Sequence, residues 1–214
     1  MVDKSAEDIA TEHITELTQG IGDTGIKPGI IGEVGCSWPL RANERKCLDA
    51  AAVASIETGI PLSIHPGLHV NAPLQIVEIP TGAGADPARI ILGHLDVALR
   101  HRATDMRLKL ADTGCYLQFD LFGALATSSR ALWKILPSDH HPVDQIAALI
   151  ERGDGDRILV SHDSMTTNVM TVNGGPGLDR IPDVVVPMMR ESGLTSSPIH
   201  AITVTDPARA LSRA

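Results

Sequence analysis

The sequence predicts an α/β protein of the (β/α)8-barrel type, incomplete, with about five β/α units preceded by one helix. Three observations carry this. Five short segments are nearly continuous in Ile, Leu and Val, the pattern of parallel strands buried on both faces. Helical patterns lie between them, and strands alternating with helices imply right-handed crossovers and a parallel sheet. Several strands run straight into ionisable residues, as "RILVSHDS" (157–164) does. An open doubly wound sheet competes with the barrel. No GxGxxG or GxxxxGKS/T turn follows any strand, so its nucleotide-binding form loses support.

The chain opens with a helical stretch, 5–20, in which Ser5 and Asp8 have capping-box spacing, with Asp in place of the usual Glu or Gln. "GIIGEVG" (29–35) reads as the first strand. Residues 42–58 are an Ala-rich helix ending at Gly59, a natural terminator. "PLSIHPG" (61–67) is the second strand, followed by a helix over 73–83 that opens on Pro73. "RIILGHLD" (89–96) is the third, followed by a helix over 98–112 with charges on one side. "CYLQFDLFG" (115–123) is the fourth. The helix over 142–152 starts at Pro142, spaces Ile146, Leu149 and Ile150 helically, and stops at Gly153. After the fifth strand, "NGGPG" (173–177) reads as a loop. In 178–192, Ile181, Val184, Val185 and Met188 fall at i, i+3, i+4 and i+7, with a kink or restart expected at Pro187.

Composition narrows the function classes. With 214 residues, 43% of them hydrophobic, the chain can bury a sizeable core, and one domain over 1–214 is expected. A net charge of -8 argues against nucleic-acid binding, which needs a basic face, and no Lys/Arg run suits an anionic membrane surface. The three cysteines are widely spaced with no CxxC, so neither a zinc knuckle nor a thioredoxin motif is present, and free thiols in a reducing cytosol are expected. The polar N-terminus is not a signal peptide, and no apolar run approaches the ~20 residues that span a bilayer. A cytoplasmic protein is expected.

Catalytic side chains of barrel enzymes sit at the C-terminal ends of strands. Here the strands end near Glu33, His65 and His94, the fourth carries Asp120, and the fifth ends at His162 and Asp163. Glu, His, His and Asp are together a ligand set for zinc or a harder divalent metal. One strand-end His is commonly a hydrogen-bonded structural group, and one strand-end Asp commonly caps the next helix. Their repetition around one mouth is what points to a metal. Neighbouring strand residues face opposite ways, so His162 and Asp163 are not expected to enter the mouth together, and the pattern does not choose between them.

"GIKPGIIGEVG", "SIHPG", "IILGHLD", "ILVSHDS", "VVVPMMRESG" and "ITVTDPARAL" follow one another as they do in the phosphotriesterase-like branch of the amidohydrolase superfamily. The set most resembles the phosphotriesterase-related homologues, in which Glu replaces the carboxylated Lys of strand 4. The likeness runs from about residue 5 to the C-terminus. It implies a (β/α)8 barrel with two metals, usually zinc, at its mouth. It makes Glu33 the bridge between the ions, His65 and His94 ligands of one, and Asp163 a ligand of the other that orients a hydroxide. It implies hydrolysis of an ester, lactone, amide or phosphoester bond of a small-molecule substrate by a metal-activated hydroxide, with Asp163 carrying away the proton.

The family's His-x-His strand has no counterpart here. His13, His69, His101, His140, His141 and His200 read as solvated groups. Aligned by the resemblance, the chain begins at the third helix, without strands 1–3. One ion keeps Glu33, His65 and His94, a mononuclear zinc set with an open position; the other keeps only Glu33 and Asp163, so one ion is expected before two. Five strands cannot close an eight-stranded barrel and would leave open apolar edges, so either the chain is a truncated product or gene model, or a homo-oligomer or partner covers those edges. Leu121 and Val97 stand where phosphotriesterases proper carry a His and an acid, which argues against efficient organophosphate hydrolysis. Asp96 reads as a helix cap, with a substitute for that missing acid as the alternative. Asp120 reads as a substrate-side group or a structural acceptor. Loops 124–141 and 165–177 are expected to contact substrate, with Arg130, Trp133 and Lys134 available. The rival reading is a non-catalytic barrel remnant, stable only as an oligomer or with a partner.

Overall fold

In a computed structural model, residues 3–99, 104–127 and 136–212 are described. Five parallel strands form one sheet in the order β1-β2-β3-β4-β5: β1 (Ile31–Gly35), β2 (Leu62–His65), β3 (Ile90–Leu92), β4 (Tyr116–Phe119) and β5 (Ile158–Val160). Each strand pairs with its neighbour in chain order. A doubly wound sheet reverses its strand order at a switch point. No reversal occurs here, so the sheet is of the singly wound barrel type, with β1 and β5 at its edges.

The helices lie largely where the sequence places them. They are α1 (Ala6–Gln19), α2 (Ala42–Thr58), α3 (Ala72–Gly82), α4 (Leu95–Ala98), α5 (Thr104–Asp112), α6 (Ala124–Thr127), α7 (His140–Arg152), α8 (Val186–Glu191), α9 (Ser196–His200) and α10 (Asp206–Leu211). The capping box of α1 forms: Asp8 N–H donates to Ser5 Oγ at 3.1 Å and Ser5 N–H to Asp8 Oδ2 at 3.0 Å. The helix expected over 98–112 is instead α4 and α5. The break expected at Pro187 takes a specific form, a π-helical turn over Ile181–Val185 just before α8. A second π turn, Ala201–Thr205, precedes Pro207 in the same way. Proline lacks an N–H and its ring crowds the carbonyl four residues earlier; each wide turn contains that earlier residue.

Period-2 alternation splits the sheet into two faces. Leu62, Ile64, Ile90, Leu92, Leu117 and Phe119 pack into the main core beneath the helices. Ile91, Tyr116 and Leu159 point the other way and form a second cluster with Ala210 of α10. Ser63 and Gln118 share that second face by parity. Carried one step further along each strand, it leads to His65 and Asp120, so the polar residues at the strand ends belong to the barrel-interior side.

Candidate metal centre

Three donors converge at the C-terminal ends of β1, β2 and β3. Glu33 sits on β1 where the pairing with β2 shifts register between Ile31 and Val34. Bulges of this kind re-aim a side chain. Gly32 makes the bend: its φ is +124°, and a Cβ there would lie 2.4 Å from the Ser63 carbonyl oxygen. His65 is the last residue of β2. His94 lies two residues beyond β3 in the left-handed conformation, φ 53°, and heads α4.

Glu33 Oε1 lies 3.4 Å from His94 Nε2, and Glu33 Oε2 lies 3.8 Å from His65 Nδ1. The two imidazoles meet edge to face, with centroids 4.4 Å apart and planes at 74°. One ligand atom from each of the three residues falls within 4.8 Å of the others. His94 is buried, while Glu33 is 40% exposed and His65 35%, so the cluster has a solid side and an open side.

The buried side is built by Asp120, one residue past β4. Its Oδ1 lies 2.9 Å from His94 Nδ1, and Oδ1 and Oδ2 accept the His94 main-chain N–H at 3.0 and 3.1 Å. Gln118 Nε2 donates to Asp120 Oδ2 at 2.7 Å. Asp96 Oδ2 accepts the Asp120 N–H at 2.8 Å. Gly93 is open because of this packing: a Cβ there would come within 2.9 Å of Asp120 Oδ2. Of the two roles left open for Asp120, its contacts are those of the acceptor. Asp96 does not cap α4; it lies inside that helix and reaches across to β4.

Burial pulls the His94 imidazolium down, and the hydrogen bonds with Asp120 and Glu33 more than reverse this, raising it to about 10. His65 moves the other way, lowered by burial and then by the neighbouring His94 charge. Burial, reinforced by the Asp120 charge, pushes the Asp96 carboxyl up to about 8. Burial also raises Asp163, which feels the charges of His94, Asp120, Glu33 and His65. Asp163 therefore faces the cluster electrostatically, although it is not among the three residues whose ligand atoms fall within 4.8 Å.

Asp163 has a left-handed backbone, φ 48°; among the described non-glycine residues only it and His94 have positive φ. Such conformations cost of order 1–3 kcal/mol and concentrate at functional sites. β5 ends at Val160, so strand alternation has stopped before His162 and Asp163. Both residues line a cavity of about 270 Å³ with Phe122, Leu136 and Met165, but they face different charges: His162 those of Arg180, Asp139 and Asp179, and Asp163 those of His94, Asp120, Glu33 and His65. Its loops are tied together by Asp139, which accepts the Gly123 N–H at 3.0 Å and holds Arg180 Nε at 2.7 Å. Glu33 and His65 also border a wider groove of about 740 Å³, whose wall includes Trp38 stacked on His69, with centroids 5.2 Å apart. His69, exposed as expected, thus forms part of the groove wall. Arg130, Trp133 and Lys134 lie outside the described residues.

The donor set fits a divalent cation. Two imidazoles and one carboxylate are a zinc-type set. Asp120 on Nδ1 leaves His94 Nε2 as the ligand atom, the carboxylate–histidine–metal arrangement that fixes ring orientation.

Fold and cluster together define a class: a barrel-type α/β protein with a His/Glu metal-ligand set at the C-terminal ends of its strands. The chain belongs to the phosphotriesterase family, whose model matches residues 2–211. It is 40% identical over 212 residues to the N-acetyltaurine hydrolase of Dictyostelium discoideum, covering 99% of this chain and 56% of that protein. It is 40% identical over 202 residues to a phosphotriesterase-related protein of Nematostella vectensis, covering 94% of this chain and 57% of that one. Among solved structures it resembles a resiniferatoxin-binding protein from Rhodobacter sphaeroides (TM-score 0.90, 32% identity, 98% of this chain and 58% of that one). It also resembles the Escherichia coli phosphotriesterase homology protein with phosphate in its active site (TM-score 0.88, 28% identity, 99% of this chain and 69% of that one). The chain thus spans little more than half the length of the curated relatives it matches.

Proposed function

We propose that this chain carries the metal-binding portion of a hydrolase that cleaves a small amide, of the N-acylated amino-sulfonate kind named for its relatives. The observation that carries the reading is the convergence of Glu33, His65 and His94 with Asp120 braced behind His94. The names of the Dictyostelium discoideum and Homo sapiens relatives, N-acetyltaurine hydrolase, favour an amide over the ester, lactone and phosphoester bonds that the family resemblance also allows. A divalent cation, zinc first, supplies Lewis acidity and an activated water when bound. Glu33, His65 and His94 hold it, with Glu33 and Asp163 the donors for a second. Asp163, raised by burial, is suited to accept a proton beside the cluster and to return it to the leaving amine. The apolar cavity beside Asp163 takes the acyl group, and the open groove by His65 takes the polar remainder.

The edges at β1 and β5 are read as covered by a second copy or a partner. The proposed setting is the cytoplasm. Among the described residues no helix is long and apolar enough to cross a membrane.

The test is metal content by elemental analysis with mass in solution on the same sample, then incubation with N-acetyltaurine and assay for free taurine. About one zinc per chain, lost in His65→Ala together with taurine release, is the expected result. A folded chain that binds no metal and leaves the amide intact would favour the non-catalytic reading instead.

A further inference from the structure

We propose that Asp96 is a positioning residue for the metal-ligand cluster, acting through Asp120 on His94; this rests on the metal-site reading above. Asp96 is wholly buried, and its Oδ1 has no hydrogen-bond partner among the described residues. Burying an acidic group in such a place is costly unless it makes contacts that matter. Its Oδ2 makes one such contact, accepting the Asp120 N–H at 2.8 Å.

That N–H needs an acceptor from outside the sheet. The pairing of β3 with β4 ends at Leu92 and Leu117, because the chain turns away through the left-handed His94 into α4. Asp96, in the first turn of α4, reaches back and replaces the missing ladder acceptor. The result is reciprocal: the Asp120 carboxylate accepts the His94 N–H, and the Asp96 carboxylate accepts the Asp120 N–H. Two strand ends are thereby locked to each other by exchanged carboxylates, and the His94 ring is held by the same Asp120 oxygen that anchors its main chain. Without Asp96, the Asp120 backbone is released, and the orientation of His94 Nε2 toward Glu33 goes with it.

The test is Co²⁺ and Zn²⁺ binding by the full chain, with circular dichroism and thermal unfolding of each metal-free protein alongside. Asp96→Asn keeps an oxygen that can accept the Asp120 N–H. Asp96→Leu removes it at similar volume. Asp96→Ala leaves room for a water in its place. The expected result is near-native Co²⁺ affinity and visible spectrum in D96N. In folded D96L the affinity falls about tenfold to a hundredfold and the spectrum changes. Folded D96L with native Co²⁺ binding, or D96N as defective as D96L, overturns the proposal. If D96L does not fold, D96A decides: weakened Co²⁺ binding supports the proposal and native binding overturns it. Failure of both to fold assigns Asp96 to the fold and not to the site, which also overturns it. If the unaltered chain binds neither ion, it is the metal-site reading that falls, a result distinct from any of these.

Discussion

Asp120 holds His94 twice, through the main-chain N–H at 3.0 Å and through ring Nδ1 at 2.9 Å. One buried carboxylate therefore sets both the backbone and the ring of a residue 26 positions away. Replacing Asp120 with Leu is expected to weaken zinc binding by about tenfold to a hundredfold while the strands persist. A zinc competition titration with a chromophoric chelator reads this directly. Unchanged affinity would remove Asp120 from the site.

The metal-free protein is expected to lose stability as pH rises. His94 at about 10 and Asp96 at about 8 both lie above their ordinary values of 6.5 and 3.8, so the folded state binds more protons than the unfolded one. A raised group stabilises fully below its unfolded value, and that contribution is lost as pH climbs through the folded one, here through about 8 and then about 10. Zinc reverses the trend locally, because the His94 proton must leave for Nε2 to ligate; affinity should rise with pH by up to about tenfold per unit. Thermal unfolding in chelator from pH 6 to 10 should show a falling midpoint, and a flat profile contradicts the assignment.

Gly32→Ala is expected to destabilise the chain by at least about 1–3 kcal/mol, since it combines a positive φ with a Cβ 2.4 Å from the Ser63 oxygen. The cost should fall on the bulge that aims Glu33, so metal binding weakens with it. Urea unfolding and zinc titration of the same variant check both parts. Gly29→Ala, where a Cβ meets nothing within 4 Å, is the control.

Asp139→Ala should loosen the loops around the cavity beside Asp163. Arg180 and the Gly123 N–H would lose their common acceptor, at a cost of about 2 kcal/mol, moderated because Arg180 is a quarter exposed. Urea unfolding should show the lower stability, and an unchanged midpoint would mean that the tie does not stabilise the protein.

Much of this was legible in the chain. The strands announced themselves as Ile/Leu/Val runs, and Glu33, His65 and His94 stood out as ionisable residues within, closing and following such runs. What remained hidden lay beyond the reach of local pattern. Asp96 looks like a helix cap because its neighbours are helical, while its partner is 24 residues away. β5 stops at Val160, and no local pattern foretells the left-handed turn at Asp163 or that Asp163 faces His94 and Glu33 while His162 lies among Arg180, Asp139 and Asp179. The stack of Trp38 on His69 joins two loops, and no spacing within either one foretells it.

The strand order has a temporal reading. Because every strand pairs with its predecessor in the chain, the sheet can grow in the order of synthesis, each new strand docking on the edge left by the last. Glu33, His65 and His94 arrive on or just after the first three strands, so a nascent chain holds the whole donor set before β4 has left the ribosome. The brace that gives the set its geometry comes later, with Asp120. A cation could thus meet the site while it is still pliable, and the fourth strand would then set it in place.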